Sequence, residues 1–230
     1  MLHKTRGIVL SYIKYKETSI IVKIYTEKFG LQSYLINSIR SSKSKKGLAL
    51  VQPLTLLEMV VYQKAGNSNG LQRISEYKPA VHFSSIPFEI NKSSLALFIS
   101  ELLNVVLKDE EHHGGVFEFL FRLIIFLDNK TSGYNNVHIF LMVQLTHYLG
   151  FGIHNIEELE KHIIVSQFAT DYESIYKCIM SLNILEIGDQ YNIDNALRRD
   201  VLNYMIQYYI LHIEGFKPLK SLDVLSQIFK

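Results

Sequence analysis

LINSIRSSKSKKGLALVQPLTLLEMVVY, residues 35–62, sets a polar, basic segment between two runs that read as β-strands. Arg40, Lys43, Lys45 and Lys46 fall within seven residues with no acid among them, and Ser38, Ser41, Ser42 and Ser44 are interleaved as small hydroxyl donors. That composition suits a polyanion, although a cation-rich loop is by itself often only a solvated one. Leu35–Ile39 and Leu54–Tyr62 would hold the loop on a β scaffold.

Working outward, residues 6–75 keep the period of two that marks strands, with β-branched and aromatic residues throughout. Ile8, Leu10 and Tyr12 alternate with Val9, Ser11 and Ile13, and Ile20, Val22 and Ile24 with Ile21, Lys23 and Tyr25. Gly30 closes a tight connection before a third strand over Leu31–Ile39. A fourth strand runs over Leu54–Tyr62 and a fifth over Leu71–Ser75, joined by a hairpin loop rich in Gly and Asn over 64–70. Five short strands with one long basic loop between the third and fourth fit a small barrel of the OB type, which commonly binds oligonucleotides. Strand count alone does not separate it from an SH3-like barrel.

From Ser93 the period becomes 3.6. Ser93 or Ser94 is placed to cap a helix whose stripe is Leu95, Phe98, Ile99, Leu102, Leu103 and Val106. VFEFLFRLIIFLD, residues 116–128, is apolar nearly all round and is expected at the centre of a helical domain. Further helices are expected over 136–149, 172–183 and 195–213, with a last short one from Ser221. The linker from Lys78 to Lys92, with Pro79 and Pro87, divides the chain into domains 1–80 and 81–230, an α+β organisation of β-barrel followed by an all-α domain.

Net charge is only +2 over 230 residues, yet it is unevenly spread. Residues 1–80 carry 13 Lys and Arg against four acids, a balance of +9, and residues 81–230 a balance of −7. A basic domain facing an anion, followed by an acidic domain with another task, is the reading this supports. Lys14, Lys16, Lys23, Lys28, Arg40, Lys43, Lys45, Lys46 and Arg73 are the candidate phosphate contacts. Tyr12, Tyr15, Tyr25, Phe29 and Tyr34 are interleaved with them as candidate stacking rings or barrel core. Stacking one base on an aromatic ring contributes ~1–3 kcal/mol.

Cys178 is the only cysteine, which rules out an intramolecular disulfide and a thiolate cluster and points to a reducing, cytoplasmic setting. The N-terminus lacks the apolar core of a signal peptide, and apolar runs such as Leu123–Leu127 fall far short of a membrane span. Nine histidines form no metal-binding spacing; His112 and His113 lie in an acidic connection, and His138 and His147 are nine apart. GNSNG, residues 66–70, has no lysine to serve as a phosphate-binding loop, and no nucleophile elbow is present. Cofactor, metal and catalytic residue are therefore all expected to be absent. The competing readings are a barrel that binds protein or RNA as an adaptor, and a hydrolase needing a divalent metal.

Four ordered segments resemble the RecO family of bacterial recombination mediators. Residues 5–40, TRGIVLSYIKYKETSIIVKIYTEKFGLQSYLINSIR, resemble that family's opening, with its Glu-Thr step and FG turn, and QPLTLLEMVVY, residues 52–62, its next strand. LMVQLTHYLGFG, residues 141–152, and HIEGFKPLKSLDVL, residues 212–225, resemble two C-terminal segments. The resemblance implies an OB domain that binds single-stranded DNA and also duplex DNA, a helical domain that docks proteins, and RecR and single-stranded DNA-binding protein as partners, without a membrane. For the acidic, apolar tail of single-stranded DNA-binding protein, Arg122, Lys217 and Lys220 are candidate cations. Many family members carry a four-cysteine zinc module after the segment matching 149–152; here IHNIEELEKHIIVSQF, residues 153–168, holds no cysteine, so no structural zinc is expected.

Overall fold

The computed structural model describes residues 1–40, 47–62, 70–107, 115–155, 157 and 170–229. The expected alternation is realised in five strands: β1 (Leu2–Tyr15), β2 (Ser19–Thr26), β3 (Gly30–Ile36), β4 (Leu56–Tyr62) and β5 (Gln72–Pro79). They close into a barrel in the order β1-β2-β3-β5-β4, with β4 returning to β1. All pairs are antiparallel except β3 with β5, which join in parallel through Tyr34–Gln72 and Leu35–Arg73. A parallel pair cannot be made by a hairpin, so the long basic connection after β3 and the β4–β5 pair must precede it. This closure answers what strand count leaves open: the barrel is of the OB type.

Period two sends Val9, Ile20, Val22, Ile24, Tyr34, Leu57, Met59 and Val61 into the barrel, where they form one buried cluster. Two bulges adjust the register. Val9 pairs with Ile24 and Ser11 with Lys23, so Leu10 is the extra residue; Gly7 and Val9 face inward before it and Tyr12 after it. On β5, Val60 pairs with Glu76 and Val61 with Ile74, leaving Ser75 as the second bulge. A bulge at that point breaks the sequence alternation, and β5 runs on to Pro79 rather than ending at Ser75. β3 stops at Ile36, short of the expected Ile39, because Ser38 adopts φ +57 and the chain turns. A short 3-10 turn over Leu48–Val51 follows, its Val51 buried in the barrel cluster.

Six α-helices lie among the described residues: α1 (Ile90–Val106), α2 (Val116–Asn129), α3 (Val137–Tyr148), α4 (Tyr172–Ile184), α5 (Asn195–His212) and α6 (Ser221–Ile228). Neither Ser93 nor Ser94 caps α1. The cap position is Glu89, without a side-chain bond, and the two serines are the fourth and fifth residues of the helix, donating back to the carbonyls of Glu89 and Ile90. The preceding linker is tied to α1 by Lys92, which is buried and donates to Ser85 Oγ at 2.6 Å.

The chain forms two compact units, Met1–Ile125 and Phe126–Lys230. In the first, α1 and the opening turns of α2 cover the outward, apolar side of the barrel. Ile8, Leu10, Tyr25 and Leu56 are buried there, Tyr25 against Phe117 at 6.0 Å between centroids, and Ser11 Oγ lies 3.3 Å from Asn104 Oδ1 of α1. Arg6 forks onto Glu27 at 2.9 and 3.0 Å, pairs with Glu118 of α2, and stands 5.0–5.2 Å over the rings of Phe117 and Phe121. The expectation that 116–128 is the centre of a helical domain is thus corrected: residues 116–125, most of that helix, fall in the same compact unit as the barrel, and their apolarity serves the sheet.

In the second unit the central element is α3, buried from Val137 through Val143. Tyr209 Oη of α5 donates to the Met142 carbonyl at 2.8 Å, and Gln144 donates to the Leu182 carbonyl at the end of α4 at 2.8 Å. Cys178 is buried on α4, and desolvation pushes its thiol up to about 11, so it is an inert packing residue. No helix among the described residues is long and apolar enough to cross a membrane.

Candidate nucleic-acid interface

Strand pairing decides where the candidate cations go. The β1–β2 turn, residues 16–18, and the exit of β3 lie at one end of the barrel. They are joined there: Arg40 N donates to the Thr18 carbonyl at 3.0 Å, and its guanidinium to the Lys16 carbonyl at 3.3 Å. Lys16 itself takes φ +50 in the turn, with Nζ 5.5 Å from the Tyr15 ring centroid. Lys14 lies two residues before that turn, so Lys14, Lys16 and Arg40 gather at this end of the barrel. Lys43, Lys45 and Lys46 lie outside the described residues, as do His112, His113 and most of 153–168, on which the zinc expectation falls.

Lys23 and Arg73 sit elsewhere on the same sheet, and both face outward. Lys23 occupies a polar row, Ser11–Lys23–Ser33, across β1, β2 and β3. Beside it runs a second row through all five strands. Ile13 pairs with Ile21, Ile21 with Leu35, Leu35 with Arg73, and Arg73 with Tyr62. Ile13 is 64% exposed and Tyr62 47%, and Ile21 and Leu35 are half-buried. Among the described residues, none of Lys14, Lys16, Lys23, Arg40 and Arg73 forms an ion pair with an acid.

Lys28 is set apart from the others. It lies in the β2–β3 turn at the far end of the barrel, in a cavity of about 610 Å³ shared with Arg6, Glu27, Glu58, Glu76 and Lys78. There the Arg6 guanidinium, bonded to Glu27, holds that carboxyl below its usual range. Mixed charge makes this end a poor match to a polyanion.

Most of the rings interleaved with the cations are structural. Tyr34 and Tyr25 are buried, and desolvation pushes the Tyr25 hydroxyl up to about 12; Tyr12 packs on the barrel cluster, and Phe29 packs there and edge-on to His3 at 5.4 Å. Only Tyr15, 37% exposed, faces solvent on the basic side. What sequence reading passed over is the outward row. Its signal is the apolar residue on both phases of a strand, as in Ile20-Ile21-Val22, and it carries meaning only once the Leu10 bulge shows which phase the helices leave uncovered.

Of the candidate partner contacts, Arg122 is exposed on α2 in the first unit; Lys217 and Lys220 are exposed in the second, Lys220 at the start of α6. Among the described residues no group of three or more metal-ligating side chains converges.

Residues 1–83 match the family model "Recombination protein O N terminal" and residues 87–158 the model "Recombination protein O C terminal". The chain is 35% identical over 238 residues to DNA repair protein RecO of Flavobacterium psychrophilum, covering 98% of both chains. To the RecO of Flavobacterium johnsoniae it is 33% identical, again over 98% of both, and to that of Bacteroides fragilis 31%, over the full length of each. A barrel closed in OB order, followed by helices, with family matches over both parts and relatives over the whole length, leads to one conclusion: the chain belongs to the RecO family of DNA repair proteins.

Proposed function

We propose that the barrel binds single-stranded DNA, and duplex DNA as a second ligand, through the cations gathered at its β1–β2 end. The observation that carries this reading is the junction made by Arg40, which ties the turn bearing Lys16 to the chain that follows β3. The +9 balance of residues 1–80 supports it, because four acids cannot neutralise 13 cations. In this reading the protein performs no covalent chemistry. It holds a strand by its phosphates, promotes annealing, and with RecR helps load recombinase onto strands coated by single-stranded DNA-binding protein. It works in the cytoplasm, where the chromosome lies. The helical unit receives the protein partners, with Arg122, Lys217 and Lys220 as cations for an acidic tail.

Counterion release gives the test. Each phosphate contact on a single strand contributes about 0.7 to the slope of log affinity against log salt. Replacing Arg40, Lys43, Lys45 and Lys46 together by Ala is expected to flatten the slope for a dT oligonucleotide by up to about 2.8. An unchanged slope and affinity would overturn the loop's role. For the partner, retention of single-stranded DNA-binding protein on the immobilised chain should vanish when that protein's C-terminal tail is removed.

A further inference from the structure

We infer that the apolar cleft between α1, the linker and the turn Leu48–Val51 is a self-association face, which receives Phe88 from a second copy of this chain and so brings two DNA-binding barrels together for annealing; the role in annealing rests on the DNA-binding reading above. Three observations lead to it. First, the cleft encloses about 530 Å³ and its walls are mostly apolar, with Pro53, Val81, Phe83, Ile86 and Leu97 among them. Second, a large knob stands at its rim. Phe88 is 79% exposed, and Ile90 at 72% and Leu97 at 47% continue the apolar surface along α1, seven residues apart and therefore on one face of the helix. Single exposed apolar residues are ordinary on a protein surface; three of them beside an apolar cleft are not. Third, among the described residues none that lines the cleft is Lys, Arg, Asp or Glu. The charges next to it are paired, Glu89 with Lys92 at 3.4 Å and Lys78 with Glu58 at 2.9 Å.

Charge narrows the occupant. A DNA strand and an acidic tail both need cations, and the described lining of the cleft offers none; Lys14, Lys16, Lys23, Arg40 and Arg73 all lie outside it. What fits is a large apolar side chain projecting from an uncharged surface, and this chain presents one at the rim of the same cleft. A two-fold interface requires knob and socket on a single patch, so that each copy gives what it receives. Phe88 and the cleft meet that requirement. Two rings bury about 150–250 Å² each and their sockets as much again, so the exchange covers roughly 600–1,000 Å² before Ile90 and Leu97 are counted. This is near the lower limit of about 1,000 Å² for a specific interface. The dimer is therefore weak and reversible, and it forms where copies are crowded, as along a bound strand. Two copies carrying complementary strands then meet as a pair, and the strands with them.

Sedimentation equilibrium of the full chain over about 1–200 µM reads the association directly. Wild type is expected to pass from the mass of one copy to that of two, and Phe88→Asp to keep the mass of one copy throughout. Annealing of two complementary strands by the same variant should slow about tenfold or more, with the affinity for dT20, a single strand of thymidines, and its salt slope as in wild type. Leu97→Glu, on the α1 wall, checks the socket in the same way. Both side chains are exposed, and an unchanged thermal midpoint verifies the fold. A wild type that keeps the mass of one copy while binding dT20 overturns the self-association and leaves the DNA reading intact. A Phe88→Asp variant that still dimerises overturns this face as the interface, and one that is monomeric yet anneals like wild type overturns its role in annealing. If wild type dimerises but binds no strand, the DNA reading falls, and the role in annealing with it.

Discussion

Gly7 shows how closely single residues set this barrel. A Cβ there would stand 2.6 Å from both Ile24 Cγ2 and Met59 Cε, inside the buried cluster. Both atoms belong to buried side chains, so yielding to a Cβ means repacking the cluster, and overpacking of a filled core costs about 1–3 kcal/mol. Gly7→Ala is therefore expected to lower the unfolding free energy by that amount in a urea titration, with little effect on DNA affinity. Arg6, one position earlier, makes stability depend on pH through Glu27. The bonded carboxyl titrates below its ordinary value of 4.5, so between the two values the unfolded chain binds more protons than the folded one. The stabilisation is complete above that range and disappears as pH falls through the folded value. Both side chains are about a third exposed, which limits the pair to about 1 kcal/mol or less. Glu27→Gln is expected to be slightly less stable at pH 7 and to lose less on acidification from pH 5 to 3, measured by thermal melting. A wild-type curve parallel to the Gln variant would contradict the linkage.

At the level of elements, helices were easier to read than their ends. The stripe Leu95 to Val106 fixed α1, yet the serines nominated as its cap lie inside it, because a hydroxyl can bond back to a carbonyl as readily as forward to an amide. Among the described residues, aspartates cap α4 and α5 through their side chains. Asp194 accepts from the amides of Ala196 and Leu197 at 2.9 Å each. Asp194→Ala is expected to cost ~1 kcal/mol, seen as a lower thermal midpoint of the full chain, and Asp194→Asn to restore most of it. Strand faces were the harder matter. Alternation places residues on two faces but cannot say which is covered, and the bulge at Leu10 exchanges the phases midway along β1. Hence the sequence alone offers Tyr12, Tyr25 and Tyr34 for stacking on the same terms as Tyr15, and does not tell that Ile13 and Tyr62 are exposed. The four-residue turn Leu48–Val51 was too short to show a period at all.

At the scale of the molecule, the charge split near residue 80 and the change of period near residue 93 were both plain in the sequence, since each is a sum over many residues. Contacts between distant segments were not, and they set the extent of the first compact unit, which runs to Ile125 rather than stopping where the strands end. The consequence is energetic. Ile8, Leu10, Tyr25 and Leu56 form the outer side of the barrel and are buried in the presence of α1 and α2. Uncovering four such side chains forfeits about 1.5–3 kcal/mol each, or about 6–12 kcal/mol, as much as the whole stability of an ordinary domain. A fragment of residues 1–83, though it contains every strand and the full N-terminal family match, is therefore expected to aggregate or to unfold without cooperativity. A fragment of residues 1–130, which adds both helices, should unfold in one cooperative transition and bind dT20 with the salt slope of the full chain. Calorimetry and anisotropy on the two fragments decide the point. A soluble, cooperatively melting 1–83 fragment would mean that the helices are accessories to the barrel, not its second layer.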